Sequence, residues 1–291
     1  MIARWLCGRS IARPQAQANP ELILSPQLEE APNLLSAPIE LAGNWGHMIG
    51  HSAQIVIEKM RHSCLDGVHL ISDRQPTRLR IDRHSAGPPA IWLHPGGRNT
   101  AWLIVNAGEQ AWIQLAYQFG HELGHVMANS WQVHAKPRPP TQWLEESLVE
   151  AFALRGLGRL GDGWMHNPPF PNDNKYANEI VSYRNEIVEQ YTALAEKQGL
   201  IRDSARWRIK HGAELEGPGL NTFAQALSSI LLVEYERNNS CVEALGAMNR
   251  WPGRTALALD EYLHQWEGSC IELGADPFLP NLLQRMFNRS R

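Results

Sequence analysis

The segment 110–127 places two histidines and a glutamate on one predicted helix. It reads Gln-Ala-Trp-Ile-Gln-Leu-Ala-Tyr-Gln-Phe-Gly-His-Glu-Leu-Gly-His-Val-Met and contains no proline. Its apolar residues recur at the three- and four-residue spacing of an amphipathic helix with one face in a core. His121, Glu122 and His125 fall largely off this apolar stripe, where a cleft could lie. The pattern therefore predicts a helix that is buried on one side and carries polar chemistry on the other.

The spacing of the two histidines is typical of a metal site. Residues four apart on a helix lie one turn apart on the same face, so the imidazoles of His121 and His125 can reach one metal ion. Glu122 lies between them and could accept a proton from a water on that metal. The alternative interpretation is a helix with two incidental surface histidines, and a suitable third ligand would count against it.

A second acidic cluster follows at 143–150, with the sequence Trp-Leu-Glu-Glu-Ser-Leu-Val-Glu. Catalytic zinc usually takes three protein ligands and a water, so a third ligand is expected downstream of the histidines. Four side chains could serve: His134, Glu145, Glu146 and Glu150. The apolar residues around the cluster predict a largely buried helix. The alternative is an ordinary helix whose acids face water.

Together the two motifs resemble the gluzincins, the thermolysin-like and aminopeptidase-like branch of the zincin metallopeptidases. In that branch His-Glu-x-x-His is followed by a zinc-ligand glutamate on a later helix. The stretch Trp143-Leu144-Glu145-Glu146 is similar to the Trp-Leu-Asn-Glu of the aminopeptidase group, which aligns Glu146 with the ligand glutamate. The spacing from His125 to Glu146 is slightly longer than is usual there, and a proline-rich loop between them could absorb the difference.

The resemblance implies a role for each acidic residue. Glu150 lies four residues after Glu146 on the same helix face, where an acid of thermolysin-like enzymes hydrogen-bonds a ligand histidine, here taken to be His121. Such a carboxylate fixes the histidine tautomer and raises its basicity as a ligand. Glu145 is expected to point elsewhere, into solvent or at the helix start. The implied cofactor is Zn²⁺, with Glu122 as general base and a peptide or protein as substrate.

Gluzincins also use a Tyr or His from the C-terminal lobe to stabilise the tetrahedral oxyanion. The candidates are His211, Tyr183, Tyr191 and Tyr235. We favour His211, because its distance from Glu146 in the chain is similar to that in the family and a glycine-containing loop, 212–219, follows it. The Gly-Ala-Met-Glu-Asn element with which the aminopeptidases bind a free amine is absent. The prediction is therefore an endopeptidase.

The composition of the chain indicates which binding partners and which cellular compartment to expect. The 291 residues carry a formal net charge of −3 with scattered charges, so neither nucleic acid nor an anionic membrane is an expected partner. Arg4, Arg9 and Arg13 interrupt any signal-peptide core, so the expected location is cytoplasmic, with export by another route left open. The cysteines lack metal-type spacing. Cys241 and Cys270 are the pair to check for a disulfide, although a reducing compartment is the simpler interpretation.

The pattern along the chain predicts an α+β, zincin-like fold. Residues 1–40 are expected to form a loosely structured arm, 41–135 an α+β lobe with a small mixed sheet and the active-site helix, and 136–291 an all-helical lobe carrying the third zinc ligand. Strands are predicted at 67–72, 77–82, 90–93 and 101–105. Residues 101–106 are either a substrate-binding strand, as the zincin resemblance implies, or an internal strand of the sheet.

Within the helical lobe, a loop rich in glycine and proline is expected at 156–174. Helices are predicted at 47–64, 176–198, 203–211, 220–237, 241–249, 255–266 and 277–287.

Two other functions remain alternatives to the peptidase: a non-catalytic or regulatory zincin-like binding protein, and a zinc hydrolase of a non-peptide bond.

Overall fold

The computed structural model describes residues 34–46, 49–69, 72–94, 99–108 and 110–288. These residues form a mixed α+β structure. Its strands are β1 (Ile39–Gly43), β2 (Arg78–Arg83), β3 (Ala90–Ile91) and β4 (Thr100–Val105). Its helices are α1 (Ile49–Leu65), α2 (Trp112–Met127), α3 (Gln142–His166), α4 (Tyr176–Gln198), α5 (Ser204–Lys210), α6 (Gly212–Leu215), α7 (Thr222–Arg237), α8 (Asn239–Gly246), α9 (Leu259–Leu273) and α10 (Phe278–Asn288), with a single 3₁₀ turn at Arg254–Ala256 before α9.

The four strands form one mixed sheet in the order β1-β2-β4-β3. The first three strands in that order run parallel, and β3 pairs antiparallel with β4 at the edge. Along β2, Leu79 and Ile81 are buried while Arg78 is exposed, which is the alternation of a strand with one covered face. Helix α2 contacts β4 and β3. The sheet therefore lies directly beside the helix that carries both histidines.

The strand predictions were partly wrong. The described residues of the segment predicted as a strand at 67–72 are not in a strand, whereas β1 begins at Ile39 within the predicted arm. The rest of that arm, 1–33, lies outside the described residues. β4 lies between β2 and β3, so the internal-strand interpretation of 101–106 is correct for the free chain. The strands at the two edges of the sheet are β1 and β3.

Helix α3 connects the two parts of the predicted architecture. It contacts α1 and α2 on one side and α4 and α7 on the other, within one compact unit. The loop predicted from 156 onward is wrong over its first part, because α3 continues to His166. A Cβ on Gly161 would lie 2.7 Å from Val181 Cγ2, and one on Gly156 would overlap the Cys64 thiol. These glycines allow neighbouring helices to approach α3, and packing outweighs their low helix propensity.

The described cysteines test a further prediction. Cys64, Cys241 and Cys270 are buried free thiols, so Cys241 and Cys270 are not paired, and Cys7 lies outside the described residues. Burial raises the pKa of the Cys241 thiol to about 11 and that of Cys270 to about 12. Within the described part of the chain, no helix is both long enough and apolar enough to cross a membrane.

Gly124 lies between the two histidines, where α2 packs closely against α3. A Cβ at Gly124 would lie 2.7 Å from Val149 Cβ and 3.1 Å from Val149 Cα, so the α3 backbone would have to move. We expect Gly124→Ala to lower the free energy of unfolding by roughly 1–3 kcal/mol, despite alanine's better helix propensity. Chemical denaturation measures this change.

Gly163 provides the matched control for this prediction. It is an exposed glycine in α3, and a Cβ there would meet no atom within 4 Å. Gly163→Ala should therefore raise the free energy of unfolding by about 0.5–1 kcal/mol. If both alanine variants were stabilised equally, the close packing of α2 on α3 at Gly124 would be disproved.

Candidate metal centre

His121, His125 and Glu146 form a cluster in which three potential ligand atoms lie within 4.8 Å of one another. Glu146 Oε2 lies 3.4 Å from His121 Nε2 and 3.6 Å from His125 Nε2. The histidines project from successive turns of α2, and the glutamate comes from the first half of α3. These three side chains are close enough to bind one metal ion. His134, another possible third ligand in the sequence, is exposed and outside the cluster.

The second ring nitrogen of each histidine contacts a buried carboxylate. His121 Nδ1 lies 2.8 Å from Glu150 Oε2, the contact predicted from the sequence. His125 Nδ1 lies 2.8 Å from Glu145 Oε1. An ionised carboxylate can only accept a hydrogen bond, so each Nδ1 carries the proton and donates it. Each Nε2 is then the nitrogen that faces Glu146 and can offer a lone pair to a metal.

Glu145 lies at the start of α3, one of the two positions expected for it, but the alternative that its side chain faces solvent was wrong. Its side chain is buried, and besides contacting His125 it accepts a hydrogen bond of 2.9 Å from Asn249 Nδ2. Glu145 lies in the first turn of α3, a helix that packs against α2, and its side chain reaches the second histidine from there. The contact with Asn249 spans 104 positions of the chain, which helix periodicity cannot reveal.

Tyr117 is a further site residue, and it was not predicted from the sequence. Its hydroxyl donates to Glu150 Oε1 at 2.6 Å, so Glu150 links Tyr117 to His121. Tyr117 precedes His121 by four residues on α2, and this spacing, which places both on one face, was the available signal. The buried Glu150 carboxylate thus has a partner on each oxygen, which fixes its orientation.

The electrostatics of the cluster favour positive charge between its carboxylates. Burial disfavours protonation of His121, but hydrogen bonds to Glu146 and Glu150 outweigh it and raise the pKa to about 10. The His125 pKa is also raised, since Glu146 and Glu145 outweigh its burial. For Glu146, burial is outweighed by the two imidazoles, which lower its pKa. A donor set of two imidazoles and one carboxylate in such a field fits a divalent cation, which would take the place of the protons.

Glu122 is buried beside the cluster and lines an adjoining cavity of about 440 Å³. Burial raises the pKa of its carboxyl group, while the nearby imidazoles act in the opposite direction. An acid with a raised pKa at a cavity wall has the character of a proton-transfer group.

The cavity is bounded on one side by β3, an edge strand of the sheet. Its walls are mainly apolar, with Tyr117, Gln118 and Ser130 as further polar residues beside the cluster. The apolar residues are Pro88, Pro89, Ala90, Ile91, Leu93, Pro137, Gly219 and Leu220. Gln118 also accepts from the backbone N–H of Asn106, which attaches the end of β4 to α2. The arrangement provides a mainly apolar cleft with one cluster of polar groups.

None of the four predicted oxyanion donors is among the described residues that line this cavity. The His211 ring packs on Phe223, with centroids 4.8 Å apart, and on Trp207, because α5 turns it into an aromatic cluster. The loop after His211 does reach the cavity, through Gly219 and Leu220. Tyr183 packs against the ring of Tyr117, and Tyr191 lies beside Tyr117 and Glu150. Tyr235 is fully buried. The tyrosine that lines the cavity is Tyr117.

Comparison with protein-family models, curated proteins and solved structures gave no match to this chain.

Proposed function

We propose that this chain is a zinc-dependent metallopeptidase of the gluzincin type that cleaves peptide bonds within a chain. The observation that carries the proposal is the cluster of His121, His125 and Glu146, with Glu122 beside it at the wall of a cavity. Catalytic zinc sites use three protein ligands and leave one position for water or substrate. Two imidazoles and one carboxylate meet that requirement.

The hydrogen bonds between each histidine Nδ1 and a carboxylate support the interpretation that the histidines are metal ligands rather than incidental. In metal sites, a ligand histidine almost always donates its other N–H to a carboxylate, a carbonyl or a water. Here both histidines meet buried carboxylates at 2.8 Å. Burying four carboxylates around two imidazoles would be costly without positive charge among them. We therefore infer that the cluster evolved to hold a cation.

Glu122 is the proposed general base. A bound zinc ion would polarise the scissile carbonyl and lower the pKa of a water molecule toward neutrality. Glu122 would accept the proton of the attacking water and then deliver it to the nitrogen of the leaving amine. Glu150 and Glu145 hold the two imidazoles in place during these transfers. The mainly apolar walls of the cleft lower the local dielectric constant, which strengthens electrostatic interactions beside them.

The substrate is proposed to extend along β3. Trp92 N–H donates to the Trp102 carbonyl at 2.8 Å, and Ala90 is opposite Ile104. Because hydrogen-bonded and non-hydrogen-bonded pairs alternate in an antiparallel ladder, the backbone N–H and C=O of Ile91 point away from β4. An extended peptide could pair with them by strand addition. This moves the proposed substrate-binding strand from 101–106 to β3, which also borders the cavity.

The proposal predicts that metal removal abolishes activity reversibly. Purified protein should contain one zinc per chain and cleave an unfolded protein substrate. Treatment with o-phenanthroline, followed by its removal, should eliminate cleavage, and added zinc should restore it. The non-chelating isomer m-phenanthroline is the control and should have no effect.

Three outcomes of this experiment contradict the proposal in different ways. Protein without metal after purification and zinc supplementation would disprove the metal centre. Zinc-bound protein without turnover on any peptide would favour a non-catalytic binding protein. Turnover of ester substrates alone would favour a zinc hydrolase of a non-peptide bond.

A further inference from the structure

The loop between α8 and the 3₁₀ turn reaches the metal centre through Asn249. This side chain is 1% exposed. Its Nδ2 donates to Glu145 Oε2 at 2.9 Å and to the Ala128 carbonyl at 3.0 Å. Its Oδ1 accepts from the Tyr262 hydroxyl at 3.2 Å. The amide orientation is therefore fixed, because acceptors surround the nitrogen and a donor faces the oxygen.

The backbone around this contact is held in an uncommon conformation. Asn249 has φ +58°, Arg254 has φ +48° and Asn129, at the end of α2, has φ +63°. These are three of the five described non-glycine residues with positive φ. Such conformations cost free energy and persist where surrounding contacts fix them, often at functional sites. Their concentration here indicates that the loop is built to present Asn249.

Arg254 connects the same loop to the end of α2 by hydrogen bonds. Its guanidinium donates to the Asn249 carbonyl at 3.0 Å and to the Asn129 carbonyl at 2.7 Å. It also donates to Ser130 Oγ, and Ser130 lines the cavity. The loop thus lies against the segment that follows His125, and Asn249 cannot move without disturbing those contacts.

We propose that Asn249 is a positioning residue of the metal centre, acting through Glu145 on His125. This inference rests on the proposed metal function. Glu145 Oε1 accepts from His125 Nδ1 while its Oε2 accepts from Asn249, so the two contacts together set the rotation of the carboxylate. The imidazole then presents Nε2 toward Glu146. The C-terminal helical part of the chain, remote in sequence from both motifs, thereby controls the geometry of one ligand.

The test combines Asn249→Asp with Glu145→Gln. Asn249→Asp places a carboxylate against Glu145, and we expect zinc affinity, measured by chelator competition, to fall about 10–100-fold. The visible spectrum of the Co²⁺ form should change as His125 reorients. In the double variant the glutamine can donate to the new carboxylate and still accept from His125. Affinity and spectrum should then return toward those of the wild type, a rescue that loss of fold would not produce.

Asn172→Asp is the matched control. Asn172 has the same left-handed conformation, with φ +61°, but it is exposed and lies between α3 and α4, outside the cluster of ligand atoms. This variant should keep zinc affinity within about twofold, as expected for an exposed position away from the metal centre. If Asn249→Asp does not fold, Asn249→Gly keeps the backbone conformation, removes the donor and should weaken zinc binding in the same way.

The outcomes separate this inference from the proposed function. Wild-type protein that binds no zinc would contradict the metal centre itself. Wild-type protein that binds zinc, with Asn249 variants of unchanged affinity and unchanged Co²⁺ spectrum, would overturn the positioning role alone. Equal losses in the Asn249→Asp single and double variants would also overturn it.

Discussion

Replacing Glu122 with glutamine is expected to abolish peptide hydrolysis while zinc remains bound. Glutamine keeps the size of the side chain but cannot accept the proton of the attacking water. General acid–base catalysis contributes roughly 10²–10⁴-fold, so kcat/KM should fall by at least about a hundredfold. Zinc content should stay at one per chain, because Glu122 is outside the cluster of three ligand atoms. Peptide cleavage and elemental analysis of the same preparation measure both quantities.

The control for this variant is Glu189→Gln, the same substitution at an exposed position of α4. It should leave cleavage and zinc content unchanged. A Glu122→Gln protein that cleaves at the wild-type rate with zinc bound would remove Glu122 from the mechanism. Proton transfer would then have to be assigned to another side chain at the cavity wall.

Replacing Glu146 with glutamine is expected to eliminate stable zinc binding and, with it, activity. Glu146 Oε2 is the ligand atom that faces both Nε2 atoms, and a neutral amide oxygen is a much weaker ligand for zinc than a carboxylate. After gel filtration into metal-free buffer that contains no chelator, the variant should retain almost no zinc while the wild type retains one ion per chain.

Glu150→Gln provides the graded comparison. It weakens the outer contact to His121 without removing a ligand, so zinc affinity should fall about 10–100-fold but binding should remain measurable. The order of affinity should therefore be wild type, Glu150→Gln, then Glu146→Gln. If Glu146→Gln bound zinc as tightly as the wild type, Glu146 would not be a ligand, and Glu145 would be the next carboxylate to test.

The sequence predicted the parts of the site that depend on helix periodicity. His121 and His125 share a face of α2 because they are four residues apart, and the same spacing relates Glu146 to Glu150 on α3. These relations hold within single helices and need no knowledge of packing. The mixed α+β class was predicted for a similar reason, since strand and helix periods differ.

The predictions that were wrong concern features that depend on contacts between segments distant in the chain. Glu145 was expected to face solvent, but it is buried between His125 and Asn249. Asn249 is 104 positions away from Glu145 in the chain. His211 was favoured from its distance along the chain, but that distance does not fix direction, and its ring packs against Phe223. The order of strands in the sheet is likewise non-local, so the edge position of β3 was not visible in the sequence.

The most direct test of the metal centre is a crystal structure of the zinc-loaded protein with anomalous diffraction recorded at the zinc absorption edge. The account predicts one strong anomalous peak between α2 and α3, about 2.0–2.2 Å from His121 Nε2, His125 Nε2 and a Glu146 carboxylate oxygen. A fourth position should open toward the cavity that Glu122 lines. Zinc-replete crystals with no peak among these three side chains, or with the zinc bound elsewhere, would contradict it.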